Sequence, residues 1–423
     1  MGFFKLCAEN LKNDKMKILT LLATLLTLLC SATISAHEGH EHGGTKFGPE
    51  KKWADTLAIE QTLAMSVAFD AKGRLWRTGV KDHHVQVDYS DDFGKSFSSP
   101  VQVNPQIEAV GAEGDSRPKI VIGKRGEVYV SWTMLLDKPY TGDVRFSRSL
   151  DGGKTFSLPL TINDNRDVIG HRFDAMALGA DGKIYIAWLD KRDPAQAKKN
   201  NEIYAGSALY YAVSENNGAS FAANVKLADH SCDCCRIALA ASSEGAPVVF
   251  WRHDFDDNIR DHAVAVLDGK NEIHRVSHDE WKIEACPHHG PALAIAGDNV
   301  YHFAWFDNAP KAHGLFYAQS LDKGQTFSAQ MHFGDDAHQA GHPDVLSQGR
   351  EVILVWKEFD GEVSVVRMIR SHDGGVSWSQ PSSAALTHDA SDHPQLTSHS
   401  GKFWLSWNAK QEGYRLIELK DMP

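Results

Sequence analysis

Apolar and polar residues alternate in short runs that recur down the chain. Six stretches share one form: an apolar strand, a turn containing glycine, then a second apolar strand ending in Trp. They cover residues 120–132, 175–188, 237–251, 292–305, 345–356 and 396–407. A seventh copy, 65–79, ends in Gly79 where the others have Trp. The runs are rich in Val, Ile, Tyr and Trp and keep a period of two, which predicts half-buried β-strands. Successive copies begin about 51 to 62 residues apart, so each hairpin belongs to a larger repeating unit.

A second repeat lies between these hairpins. Residues 90–97, 149–156, 214–221, 320–327 and 371–378 read Ser-x-Asp-x-Gly-x-Ser/Thr-aromatic, with Asn216 replacing Asp in the third. The carboxylate or amide accepts turn N–H groups, glycine supplies a positive φ, and the aromatic packs beneath a hairpin. Two hairpins per unit make a four-stranded antiparallel blade. Blades repeated radially predict an all-β fold, the β-propeller. Seven Trp-type hairpins favour seven blades over the alternative of six. The fourth unit has lost its Ser-x-Asp turn but keeps strand-like alternation near 262–277. The last unit has three strands before the chain ends, the third at 414–419, and residues 53–59 are expected to supply the fourth and close the ring.

The N-terminus carries a different signal. Met16-Lys17 precedes an apolar run, 18–29, and a small-residue stretch, 31–36, in the order of a secretory signal peptide. Cleavage is expected after Ala36, giving an exported chain, periplasmic or secreted, with no transmembrane segment once mature. Residues 1–36 are then extension and signal, 37–50 a His- and Gly-rich leader, and 51–423 one propeller domain. The net charge of −11 argues against nucleic acid as a partner. Four cysteines remain after cleavage: Cys232, Cys234, Cys235 and Cys286. Disulfides are permitted in an oxidising compartment, and four cysteines allow three full pairings.

Candidate chemistry lies at the mouth of the central channel, where each innermost strand begins. The Ser-x-Asp turns fall on the opposite side and read as architecture. At the matching repeat position stand Arg117, Arg172, Cys235, His289, His342 and His393. Imidazole and thiolate are ligands of copper and zinc. His289, His342 and His393 are therefore the expected core of a copper or zinc site, with Cys235 beside them. Cys232, Cys234, Cys286, His288 and His171 are secondary candidates. The competing reading makes His-Pro a repeat-specific turn with its imidazole on a backbone carbonyl, and places a disulfide among the cysteines. In the leader, His37 would be the new N-terminus, followed by His40 and His42. An amine plus its own imidazole is a further copper-binding arrangement.

The Ser-x-Asp turns are those of the Asp box, or BNR repeat. Over nearly the whole mature chain the sequence resembles the sialidase (neuraminidase) superfamily. That resemblance implies an arginine triad for a carboxylate, an Asp acid and a Tyr–Glu nucleophile pair. The matching residues are Arg117, Arg172 and Arg236, then Asp115, then Tyr414 with Glu412 or Glu358. The pattern departs from the family at 62–67, where the first arginine is missing, and at the three histidine positions. Histidine cannot replace the bidentate guanidinium that grips a carboxylate. The resemblance therefore bears on fold more than on reaction, with a metal-binding propeller as the first reading. A sialidase-type glycoside hydrolase is the second. A non-catalytic propeller binding a glycan or another exported protein is the third.

Overall fold

A computed structural model describes residues 62–285 and 287–420. It contains seven antiparallel sheets, six of four strands and a last one of three. The expected seven blades are present. The inner strands are Ser66–Phe69, Lys119–Ile122, His171–Leu178, Ala238–Ala240, Ala292–Ile295, Gly341–Gln348 and Gln395–His399. Each packs against the inner strands of both neighbours, and the seventh meets the first, so the ring closes. Blade four keeps its third and fourth strands, His262–Val266 and His274–Arg275, without the Ser-x-Asp turn. The strand expected from residues 53–59 lies outside the described residues. A short helix, Arg192–Lys199, follows the second strand of blade three, where no helix was expected.

The two sequence repeats do different work in the packing. Trp132, Trp188, Trp251, Trp305, Trp356 and Trp407 are among the largest fully buried side chains, one in each of blades two to seven. Burying an aromatic of this size gives each interface a large apolar contact. In blade one Gly79 takes that place because Met65 fills the space: a Cβ there would come within 2.6 Å of the Met65 sulfur.

The Ser-x-Asp turns form the expected network. In the first, Ser90 Oγ donates to Asp92 Oδ1 at 2.7 Å and accepts from Gly94 N at 2.7 Å. Ser96 donates through its amide and its hydroxyl to the two oxygens of Asp92. The third turn repeats this with Asn216. The glycine of each turn also rests on the preceding blade. A Cβ on Gly153 would lie 2.5 Å from Trp76 of blade one, and one on Gly218 would lie 2.5 Å from Phe146 of blade two. A Cβ on Gly375 would meet Tyr317 of blade five. The turns are thus interblade contacts as well as hairpin ends.

Antiparallel order places these turns on one face and the starts of the inner strands on the other. Two inner strands carry a β-bulge near their start. In blade six Gly341 pairs with Lys357 but Asp344 with Val355, leaving one extra residue, and His342 takes a φ of +53°. In blade three Phe173 does the same at +58°. A bulge turns a side chain out of the strand's alternation. No helix among the described residues is long and apolar enough to cross a membrane.

Candidate metal centre at the channel mouth

Three side chains from different parts of the ring converge at the starts of the inner strands. Asp115 comes from the 3-10 turn Gly114–Ser116, just ahead of the blade two inner strand. His342 is turned inward at the blade six bulge, and His393 precedes the blade seven inner strand. One potential ligand atom from each lies within 4.8 Å of the other two. The His342 and His393 rings stack at 3.4 Å between centroids, 16° from parallel. Gly114 permits this approach, since a Cβ there would lie 2.6 Å from Cε1 of His393.

The electrostatics are those of a carboxylate beside neutral imidazoles. Burial alone would raise the carboxyl of Asp115, but the Arg236 charge and the hydrogen bond with His393 hold it well below the usual range. Asp115 Oδ1 lies 3.4 Å from Arg236 Nη1 and 3.4 Å from His393 Nδ1, while Oδ2 accepts from Gly290 N at 3.2 Å. Burial pushes the imidazoles of His342 and His393 below their ordinary value, so both stay neutral near pH 7. Nδ1 of His342 is buried and has no hydrogen-bond partner, while that of His393 faces only the Asp115 carboxylate. A buried polar atom without a partner is costly, so it marks a place where a ligand belongs.

Further charged groups lie deeper among the inner strands. Arg117 makes a bidentate pair with Asp392 at 2.6 and 2.8 Å, both side chains buried. Its remaining N–H groups go to the carbonyls of Gly114 and Met65. Lys119 Nζ donates to the carbonyls of Asp115 and Arg117, and burial lowers its ammonium to about 8. Asp174 accepts from Ser131 and Thr133, and burial raises its carboxyl.

The expected core of three histidines is therefore rearranged. His289 stacks on Phe306 at 4.2 Å and on His342 at 4.6 Å, and Asp115 takes its place among the converging ligand atoms. The imidazole of His289 is lowered to about 3 by burial, with Arg252 adding to the effect. Cys235 does not join the histidines. Its sulfur groups with Cys232 and Cys234 inside the apolar cluster around Trp251. His171 is fully buried and bonds the Gly142 carbonyl at 2.9 Å, and His288 is exposed with a φ of +51°. Cys286, His37, His40 and His42 lie outside the described residues.

The residues implied by the sialidase resemblance do not assemble into an open site. A guanidinium that grips a substrate carboxylate needs its N–H fork turned outward. Arg117 is closed by Asp392, Arg236 donates to the Pro291 and Pro343 carbonyls, and Arg172 lies over Phe173. Tyr414 packs on Phe97 and Arg77, and burial raises its phenol to about 12. Neither expected carboxylate is a hydrogen-bond partner of Tyr414. Glu412 accepts from Thr387, and Glu358 from Trp356 and Arg367. Asp115, read from sequence as an acid, proves to be the third member of the histidine cluster. Its signal was the Gly-Asp-Ser turn before a repeat position, which gives no direction across the ring.

No protein-family model matches the chain, and no curated protein matches it in sequence. Solved structures do match in shape. The polysaccharide lyase Uly1 superposes with a TM-score of 0.52 at 10% identity, over 86% of this chain and 91% of that one. A polysaccharide lyase of family PL25, an ulvan lyase, gives 0.49 at 12% identity over 86% and 92%. The Hadza microbial sialidase Hz136 gives 0.47 at 14% identity over 80% and 74%. At these identities the likeness is one of fold. The chain is a seven-bladed antiparallel β-propeller, with four strands in six blades and three in the last among the described residues.

Proposed function

We propose that this chain is an exported, metal-binding propeller whose ion is held by Asp115, His342 and His393. The observation that carries the reading is the convergence of two half-buried imidazoles on a buried carboxylate, with the buried Nδ1 of His342 left without a hydrogen-bond partner. Two imidazoles and a carboxylate suit a divalent transition ion, and copper and zinc are the two proposed. Arg236 and the Gly290 amide hold Asp115 in place, in the manner of groups that orient a metal ligand. His37, His40 and His42 of the leader are proposed as a second, exposed place of metal capture. A glycan or another exported protein is the proposed partner beyond the ion.

The test is metal analysis of the full mature chain after loading with copper(II) or zinc(II) and dialysis. One ion per chain is expected at the mouth. His342→Ala and His393→Ala should each abolish it, and Asp115→Asn should weaken it. Metal that stays substoichiometric after loading, or that is unaffected by all three substitutions, sinks the reading. Export is checked separately by N-terminal sequencing of the chain recovered outside the cytoplasm, with His37 expected first.

A further inference from the structure

A second cluster of ligating side chains is separate from the histidine site. Cys232, Cys234 and Cys235 lie in one tight turn entering blade four, exposed by 2%, 6% and 3%. One sulfur from each lies within 4.8 Å of the others, and those of Cys232 and Cys235 are 3.6 Å apart. All three are thiols. The turn is pinned by the Cys232 amide donating to the Arg252 carbonyl at 3.0 Å. Arg260 Nη1 donates to the Cys232 sulfur at 3.4 Å, and its Nε lies 3.3 Å from Asp254.

We propose that Cys232, Cys234 and Cys235 hold a monovalent copper ion at a site distinct from Asp115, His342 and His393. Three thiols packed this closely can all lose their protons only where a cation lies between the sulfurs. Soft thiolate ligands suit monovalent copper, zinc and iron–sulfur clusters. A structural zinc site takes four ligands, whereas among the described residues this cluster supplies three, and its Arg260 neighbour is a cation that cannot ligate. The guanidinium does suit the net negative charge of a copper–thiolate complex. Binding forms copper–sulfur bonds as the thiol protons pass to solvent, with no change of oxidation state. Neighbouring apolar groups, Phe173, Tyr211 and Trp251, keep water and oxidants from the sulfurs.

The test uses the full mature chain, reduced and kept free of oxygen, titrated with monovalent copper against a chromogenic chelator of that ion. The chain should withdraw one copper from the chelator, with an ultraviolet thiolate-to-copper charge-transfer band. X-ray absorption should show a sulfur-only coordination shell. Cys234→Ser and Cys235→Ser should lose the tight binding, while the double variant His342→Ala/His393→Ala keeps it. The absorption measurement uses the unaltered chain, so it decides even where a serine variant misfolds. Failure to compete with the chelator overturns the proposal, as does a shell of nitrogen or oxygen. So does copper that follows the histidines, a Cys232–Cys235 disulfide that resists the reductant, or zinc holding the sulfurs against monovalent copper. Loss of metal at the histidines alone would sink the proposed function and leave this site standing.

Discussion

Asp392 holds the most demanding electrostatic position in the ring. Its two oxygens take the whole fork of Arg117, and Oδ2 also accepts the Met65 amide at 3.1 Å. Removing one member of a buried, hydrogen-bonded pair leaves the other charge without compensation, at a cost of about 3–5 kcal/mol. Asp392→Ala should lower stability by that order in urea denaturation. The double variant Asp392→Ala/Arg117→Met should recover part of the loss, because no charge is then stranded. His342 and His393 were legible in the sequence because the repeat fixes where each inner strand begins. Asp115 and Cys235 were not. The repeat gives a place on the ring, while the direction of a side chain depends on local turns. The Gly114–Ser116 turn brings Asp115 against His342 and His393, and the Cys232–Cys235 turn places its sulfurs in the apolar cluster that holds Trp251.

Among the elements, the Ser-x-Asp turns were the most legible feature of the sequence, because each carries its own hydrogen-bond logic in eight residues. What the motif does not reveal is its grip on the next blade. Gly152 and Gly153 both have positive φ, at 71° and 79°, but only Gly153 lies against a neighbour, Trp76. Alanine at either site bears the left-handed backbone cost of about 1–2 kcal/mol. Gly153→Ala should therefore exceed Gly152→Ala in destabilisation, and the difference between their denaturation midpoints measures the interblade contact. Equal losses would show that the contact with Trp76 contributes nothing.

The same turns set the acid response. Hydrogen bonds from Ser96 and Thr326 hold Asp92 and Asp322 at about 2, below an ordinary value of 3.8. The unfolded chain thus binds more protons between those values. The contribution is complete above about pH 4 and is lost as pH falls toward 2. Asp322→Asn should flatten the stability–pH curve in that window and leave its shape above pH 5 unchanged. The outer half of blade four, which lacks the motif, was legible only through its strand alternation, and residues 53–59 were assigned by symmetry alone.

At the scale of the molecule, repeats made the seven blades readable because each unit restates the same pattern. The mouth is where the units differ, so symmetry stops being informative there. A ligand that binds only the closed ring adds stability to all of it. At one hundred times its Kd, an ion at Asp115, His342 and His393 would add about 2.7 kcal/mol. Chelation should therefore lower the thermal midpoint of the loaded chain, and the His342→Ala variant should show no such response. The site also draws on residues far apart in sequence. Asp115 precedes blade two and His393 opens blade seven, and the Arg117–Asp392 pair beside them spans 275 positions. A ribosome that has added Asp115 must make blades two to six before the last of these groups exists. An ion bound there would consequently be chosen by the compartment in which folding ends, whatever metals surround the chain during its synthesis.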